Sequence, residues 1–422
     1  MKIVILFVVI VASLAAPFIR RFDNEKALRV FPQNEEDVQF IKHLARVMQL
    51  NFWKPHSSSY VIPKAFVDFH ANAEDSHIIT GLLEEKGIKH RILFQNLQEA
   101  IENQLSKAGN PKDERFPSPR YRTWLEISTW AYRVSVKYPN LVSVVQAGNT
   151  YEGQTILVLK VGSQSAHKKG IVLECGVHAR EWISPAFCQW FVNEAIRSYG
   201  KDKAMTKLLN SVTFHVVPVF NVDGYIWTWT HVNIDRMWRK NRYQDANNKC
   251  VGVDLNRNFN ASWGTGFSND EPCSEIYAGS GPESENETKA VASYIRDNIS
   301  SLKAYISFHA YGQMLMYPYG YKSEKPPNSK KLDKIAVSAL KALSTLYGTS
   351  YTHGPIATTI YPVSGSSIDW AYDEGMKYSF AFELRDEGQY GFLLPENQIK
   401  KTCMETMLAV KAIAKSVVTR DI

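Results

Sequence analysis

Two rhythms of hydrophobic and polar positions run along the chain and divide it into a small unit and a large one. In the small unit, strand-like runs at 27–31, 65–69 and 90–94 are separated by stretches with apolar residues three and four apart. Residues 35–50 carry Val38, Ile41, Leu44, Ala45 and Met48 at that spacing, and 75–85 and 97–105 also read as helices. This pattern predicts a compact α/β sandwich. Its His43, His56, His70, His77 and His90 have no ligand spacing and read as surface or packing residues. From about residue 120 onward the pattern predicts strands at 141–146, 155–161, 170–175, 212–219, 303–308 and 378–383. They alternate with helices near 122–137, 184–199, 284–300, 329–346 and 396–417. Such alternation predicts a mixed or parallel sheet covered by helices on both faces. Between the units, residues 106–119 are rich in proline and charge, the mark of an exposed linker. Lys107, Lys112 and Arg115 would suit a protease that cuts after basic residues.

Composition adds an address. The 422 residues are 45% apolar and 22% charged, ordinary values for a globular protein of two or three domains. Residues 1–15 read as a secretory signal: Lys2, an apolar run at 3–12, then Ser13, Leu14 and Ala15 as a small-residue cleavage site. No later apolar run is long enough to span a bilayer. A secreted chain can form disulfides, and the five cysteines (175, 188, 250, 273, 403) leave at least one unpaired within the chain. Asn260, Asn286 and Asn298 open glycosylation sequons. The net charge of +7 is mild, with no basic stripe of the kind that nucleic acid requires. Lysines at 322, 325, 330, 331 and 334 form a candidate contact for a heparin-like polyanion.

The candidate chemistry gathers at strand ends. His178 and Glu181 stand three apart just after the apolar run 170–175. Open α/β sheets place ligand sites at the carboxyl ends of strands. Imidazole nitrogen and carboxylate oxygen are zinc donors, and a catalytic zinc keeps three protein ligands with one open position. His309, directly after the run 304–308, is the candidate third ligand. Glu383 closes the run 378–382; it reads either as a base beside an activated water or as the ion-pair partner of Arg385. Asn256 and Arg257 on a loop could grip a carboxylate, and Asp254 could orient a ligand histidine. Arg236 and Arg239 read as carboxylate binders or as polyanion contacts.

These motifs, His178-Ala-Arg-Glu181, Asn256-Arg257, His309, Tyr361 in Thr-Ile-Tyr-Pro and Glu383-Leu-Arg-Asp, resemble in order and approximate spacing the zinc metallocarboxypeptidases of the A/B type. The resemblance covers nearly the whole chain. Stretches 184–190, 256–263 and 362–367 are most similar to the mast-cell A-type subgroup. It implies a mixed eight-stranded sheet flanked by helices, preceded by a small α/β antiparallel prosegment. The expected divisions are a signal at 1–15, an inhibitory prosegment with linker at 16–112, and a catalytic domain at 113–422. It implies one Zn²⁺ held by His178, Glu181 and His309, with Glu383 as general base and Arg239 as oxyanion partner. Asn256, Arg257 and Tyr361 would hold the substrate's terminal carboxylate, with Arg180 at the next subsite. Ile368 would form the pocket floor, with Ile356, Val363 and Ala381 beside it, favouring aromatic and large aliphatic C-terminal residues. It further implies Cys250–Cys273 and Cys175–Cys188 pairs and a free Cys403. The partners implied are peptide and protein C-termini, the chain's own prosegment and an activating trypsin-like protease, with storage in secretory granules. Two positions depart from the family pattern: 225–235 is longer than usual, and Ala310 stands where many members carry serine. A catalytically silent binding protein of the same fold would be favoured by a lost ligand or a lost Glu383, and neither is lost.

Overall fold

The computed structural model describes residues 20–105, 119–164, 168–229, 235–266 and 270–419. The expected signal and nearly all of the linker, with Lys107, Lys112 and Arg115, lie outside the described residues.

The N-terminal unit is built from strands β1 (Lys26–Val30), β2 (Leu50–Lys54), β3 (Val67–Ala71) and β4 (His90–Phe94) in the order β2-β3-β1-β4, all antiparallel. Helices α1 (Glu35–Val47), α2 (Ala73–Glu85) and α3 (Leu97–Gln104) connect or follow them. Each helix starts at an asparagine (Asn34, Asn72, Asn96) whose side chain accepts from the backbone N–H three residues on. That contact satisfies one of the orphan donors of the first turn. Val38, Ile41 and Leu44 of α1 pack with Ile79 and Leu83 of α2 onto Leu28, Val30, Val67 and Phe69 of the sheet.

The larger unit begins with α4 (Trp124–Lys137), held by a capping box between Thr123 and Glu126. There follow β5 (Val142–Asn149), β6 (Thr155–Val161), β7 (Lys169–Cys175), α5 (Ile183–Ser198), α6 (Lys203–Ser211), β8 (Val212–Val217), α7 (Val222–Trp227) and α8 (Asn286–Asn298). The chain closes with β9 (Leu302–Ala310), β10 (Met314–Tyr317), α9 (Ser329–Tyr347), β11 (Thr352–Pro355), α10 (Ile356–Thr359), α11 (Ser367–Asp373), β12 (Tyr378–Leu384) and α12 (Glu396–Thr419). The sheet order is β11-β10-β12-β9-β7-β8-β6-β5. Its centre, β12-β9-β7-β8, is parallel, and antiparallel pairs flank it.

Period-two alternation assigns each central residue to one face of this sheet. Ile171, Leu173, Ala304, Ile306, Phe308, Phe380 and Phe382 join the core beneath α5, α9 and α12. Val172, Tyr305 and Ala381 join the other core, with α8 and α11. By the same alternation Glu174, Ser307, His309 and Glu383 belong to the α11 side. Two disulfides are present, Cys175–Cys188 and Cys250–Cys273, and Cys403 is a buried free thiol in α12. Among the described residues no helix is long and apolar enough to cross a membrane.

Candidate active site

The site lies at the carboxyl ends of β7, β9 and β12. After β7 the chain turns at Gly176, whose φ of 69° suits glycine. A Cβ there would also lie 3.0 Å from the Pro185 side chain. The turn throws His178 and Glu181 back over the strand ends before α5 begins. Cys175–Cys188 ties this loop to α5, and the Ser184 hydroxyl ties it to β9 by donating to the Phe308 carbonyl at 2.5 Å. In β9, His309 lies in register with Glu383 of β12. Donor atoms of His178, Glu181 and His309 all lie within 4.8 Å of one another, and all three residues are buried. His178 Nδ1 is 2.7 Å from Glu181 Oε1, and His309 Nδ1 is 3.1 Å from Glu181 Oε2 and 3.2 Å from His178 Nδ1.

The outer ring nitrogens are engaged elsewhere. His178 Nε2 lies 3.1 Å from Asp254 Oδ1, and His309 Nε2 lies 2.9 Å from the Ser307 hydroxyl. Both Nδ1 atoms therefore face the same point with Glu181. Two imidazoles and one carboxylate, oriented from behind, fit the donor set of a catalytic zinc, the His2Glu set known from thermolysin and carboxypeptidase A. Burial opposes ionisation of Glu181, yet the two histidines hold it well below the usual carboxylate range. Asp254 is likewise held far down, because Arg239, Arg257 and His178 outweigh its burial.

Around this centre stand the other predicted residues. Arg239 is bound to Asp254 (Nη2–Oδ2 2.8 Å, Nε–Oδ2 3.1 Å), and its Nη1 has no hydrogen-bond partner although buried. Arg257 gives one Nη1 bond to the Asn256 carbonyl and keeps a buried Nε without a partner. Gly365 permits that placement: a Cβ on it would collide with the Arg257 carbonyl. The Asn256 side-chain oxygen accepts from Ser367 N at 2.9 Å, which leaves its amide N–H groups for another acceptor. His178, Arg239, Asn256, Arg257, His309, Tyr361 and Glu383 line one cavity. Its far wall is Met316, Ile356, Ile360, Val363, Ile368 and Ala381, an apolar surface. Asp369, next to Ile368, turns away and accepts from Gly320 N and Tyr321 N, and burial pushes its carboxyl up to about 7. Burial also pushes Glu383 up to about 8, with His309, Lys54 and Arg239 pulling the other way and Glu181 adding to the rise.

The N-terminal unit reaches into this cleft, which departs from the reading of its histidines as surface or packing residues. His70 does pack, accepting from the Trp53 indole at 2.9 Å. His56, however, lines the cavity, its ring 6.2 Å from that of His178 and 6.1 Å from that of Tyr361. Tyr60 stacks on Tyr361 at 4.5 Å with nearly parallel rings. Arg180, the expected subsite residue, donates to the Asn51 side chain (3.0 Å) and the Phe52 carbonyl (3.2 Å). Farther out, Arg29 forms a bidentate pair with Asp68 and donates to the Glu387 carbonyl, while Tyr311 donates to Asp68. Gln104 bridges the Phe392 and Leu394 carbonyls and accepts from Arg236 Nε. No ligand-spacing test could find His56, because its role comes from docking.

The alternatives left open by sequence divide clearly. Arg385 pairs with Glu405 at 2.6 Å, leaving Glu383 to the cleft. Arg236 stacks on Trp182 and is fully buried, as is Arg239, so neither is a polyanion contact. The longer stretch before Arg236 is described up to Trp229 and from Asp235; residues 230–234 lie outside the described residues.

A zinc carboxypeptidase family model matches residues 127–409, and a carboxypeptidase activation peptide model matches 28–104. The chain is 51% identical over 396 residues to human mast cell carboxypeptidase A, covering 94% of each chain. It is 47% identical to bovine carboxypeptidase B, again over 94% of each. The solved structure of thrombin activatable fibrinolysis inhibitor is 40% identical, with a TM-score of 0.90 over 94% of this chain and 100% of that one. The carboxypeptidase A structure from Helicoverpa armigera gives 0.82 at 25% identity, over 95% and 99%. A shared fold and matches along nearly the whole length place this chain in the zinc carboxypeptidase family, with that family's activation peptide at its N-terminus.

Proposed function

We propose that this zinc carboxypeptidase is a secreted A-type zymogen that removes aromatic and large aliphatic residues from peptide and protein C-termini. His178, Glu181 and His309 hold the family's zinc. Bound there, the ion would supply Lewis acidity toward the attacking water and the scissile carbonyl. Glu383 takes the proton of the attacking water and delivers it to the leaving amine. The unpartnered Nη1 of Arg239 donates to the carbonyl oxygen as charge builds on it, and Asp254 keeps that guanidinium fixed. Arg257 and the free amide of Asn256 hold the terminal carboxylate, and Tyr361 closes over it. Arg180 serves the subsite beyond. A carboxylate clamp at a fixed distance from the metal puts only the last peptide bond in register.

The observation that carries this reading is the shared cavity: metal donors, base and two cations with buried, unpartnered N–H groups meet one apolar wall closed by Ile368. The docked activation peptide supports the zymogen. Asn51 and Phe52 occupy Arg180, His56 and Tyr60 cover Tyr361, and about 50 Å³ of cavity remains. Cutting between 105 and 119 by a trypsin-like protease would release it. The disulfides and the signal-like start support secretion. The test uses trypsin-activated protein and three blocked dipeptides: one ending in Phe, its C-terminal amide, and one ending in Arg. The expected result is cleavage of the first, at least about a hundredfold loss for the amide, as expected for two lost charge-assisted hydrogen bonds, and weak cleavage of the third. Equal cleavage of acid and amide would overturn the clamp.

A further inference from the structure

Glu174 is a carboxylate one residue from the carboxyl end of β7, fully buried and used by none of the chemistry above. A charge in such a place persists only when its oxygens are bonded. The Ser307 hydroxyl donates to Oε1 at 2.6 Å, the Tyr305 hydroxyl donates to Oε2, and the Ser367 hydroxyl stands 3.5 Å from Oε1. The parallel register sets Glu174 directly beside Ser307. Two residues on, by the strand's own period, His309 turns its Nε2 to the same Ser307 oxygen at 2.9 Å.

With Glu174 as an acceptor of both hydroxyls, proton bookkeeping along this row has one answer. Ser307 has a single O–H. With that hydrogen given to Glu174, which as a carboxylate can only accept, its oxygen is left as an acceptor toward His309. His309 must then carry its hydrogen on Nε2, and its Nδ1 becomes a lone pair. That is the atom facing His178 and Glu181. His178 has a direct carboxylate partner, Asp254, on its outer nitrogen; His309 has one at one remove.

We propose that Glu174 is a positioning residue for His309, acting through Ser307 to fix the tautomer that offers Nδ1 to zinc. This rests on the assignment of His309 as a ligand. Substituting an outer partner of a metal-binding histidine typically costs ten- to a hundredfold in metal affinity, on the order of 10–100.

The experiment measures zinc affinity of the full-length protein in zinc buffers set by a chelator, together with the Tm of the metal-free protein. Glu174→Gln and Ser307→Ala are each expected to weaken zinc binding by about ten- to a hundredfold, and the double variant to weaken it no further than the stronger single one. Ser307→Thr keeps a hydroxyl and is expected to retain affinity. Tyr305→Phe removes a Glu174 contact outside the row and is expected to lower only the Tm. His309→Ala should lose more affinity than any of these; wild-type affinity in that variant would remove the ligand assignment and this proposal with it. Normal zinc binding in Glu174→Gln or in Ser307→Ala, with His309→Ala defective, would overturn the relay alone. Equal zinc loss in Tyr305→Phe would also overturn it, by assigning the effect to general stability. If Glu174→Gln does not fold, the Ser307→Ala and Ser307→Thr pair decides: loss in the first with retention in the second supports the relay, and equal behaviour contradicts it.

Discussion

Replacing Ile368 with aspartate exposes the specificity assignment to direct test. Ile368 is 1% exposed and shares its cavity wall with Met316, Ile356, Ile360, Val363 and Ala381. A C-terminal Phe side chain buried against that wall gains about 1.5–3 kcal/mol, a factor on the order of 10 to 150. An arginine side chain against the same wall finds no carboxylate on it, since Asp369 is committed to Gly320 N and Tyr321 N. The aspartate removes the apolar floor and supplies a charged acceptor. A charge-assisted hydrogen bond contributes about 1.5–3 kcal/mol. The two changes add in the ratio of kcat/KM for Phe over Arg substrates, shifting it by about 3–6 kcal/mol, or on the order of 10² to 10⁴. The assay is the pair of blocked dipeptides with activated Ile368→Asp, with zinc content and circular dichroism as checks on the fold. A ratio that moves by less than about tenfold in folded, zinc-loaded protein would refute Ile368 as the pocket floor.

Other expectations follow from single contacts. Glu383→Gln should lower kcat by about 10² to 10⁴ while leaving the zinc content unchanged; loss of zinc would instead place Glu383 among the ligands. Gln104→Ala leaves the buried Arg236 Nε without its partner, at a cost of about 1–3 kcal/mol. After the linker is cut, the activation peptide of that variant should separate from the catalytic domain faster on gel filtration, and unchanged retention would argue against this contact. Burial pushes Glu287 up to about 7, above the ordinary value near 4.3 in an unfolded chain. The folded state binds the extra proton between those values, so Glu287 makes stability fall as pH rises through that window. Glu287→Gln should therefore reduce the drop in Tm between pH 5 and pH 8, and an unchanged drop would contradict the assignment.

The elements that carry His178, His309 and Glu383 were legible because each residue follows a strong apolar run: 170–175 before His178, 304–308 before His309, and 378–382 before Glu383. Asp254 was also legible, from its place beside Asn256 and Arg257. Three strands were not. β10 is four residues, all buried, and so shows no alternation. β11 is Thr-His-Gly-Pro, which reads as a turn. β2 is half polar and runs straight on from α1 through a two-residue gap. The docking of His56 and Tyr60 is invisible because it depends on how two units meet. Glu174 leaves a signal in the sequence: a carboxylate in the otherwise apolar run 170–175 needs a partner once it is buried.

On the proposed mechanism, cleavage of a C-terminal residue depends on zinc in this cleft and on removal of the activation peptide. The most direct measurement follows hydrolysis of the Phe-ending dipeptide by one preparation in four states: uncut, cut, cut and stripped by chelator, and stripped then restored with zinc. Activity is expected in the second and fourth states, with one zinc per chain, and little in the first and third. Full activity in the stripped state would contradict the zinc chemistry, and equal activity before and after cutting would contradict the block by the activation peptide.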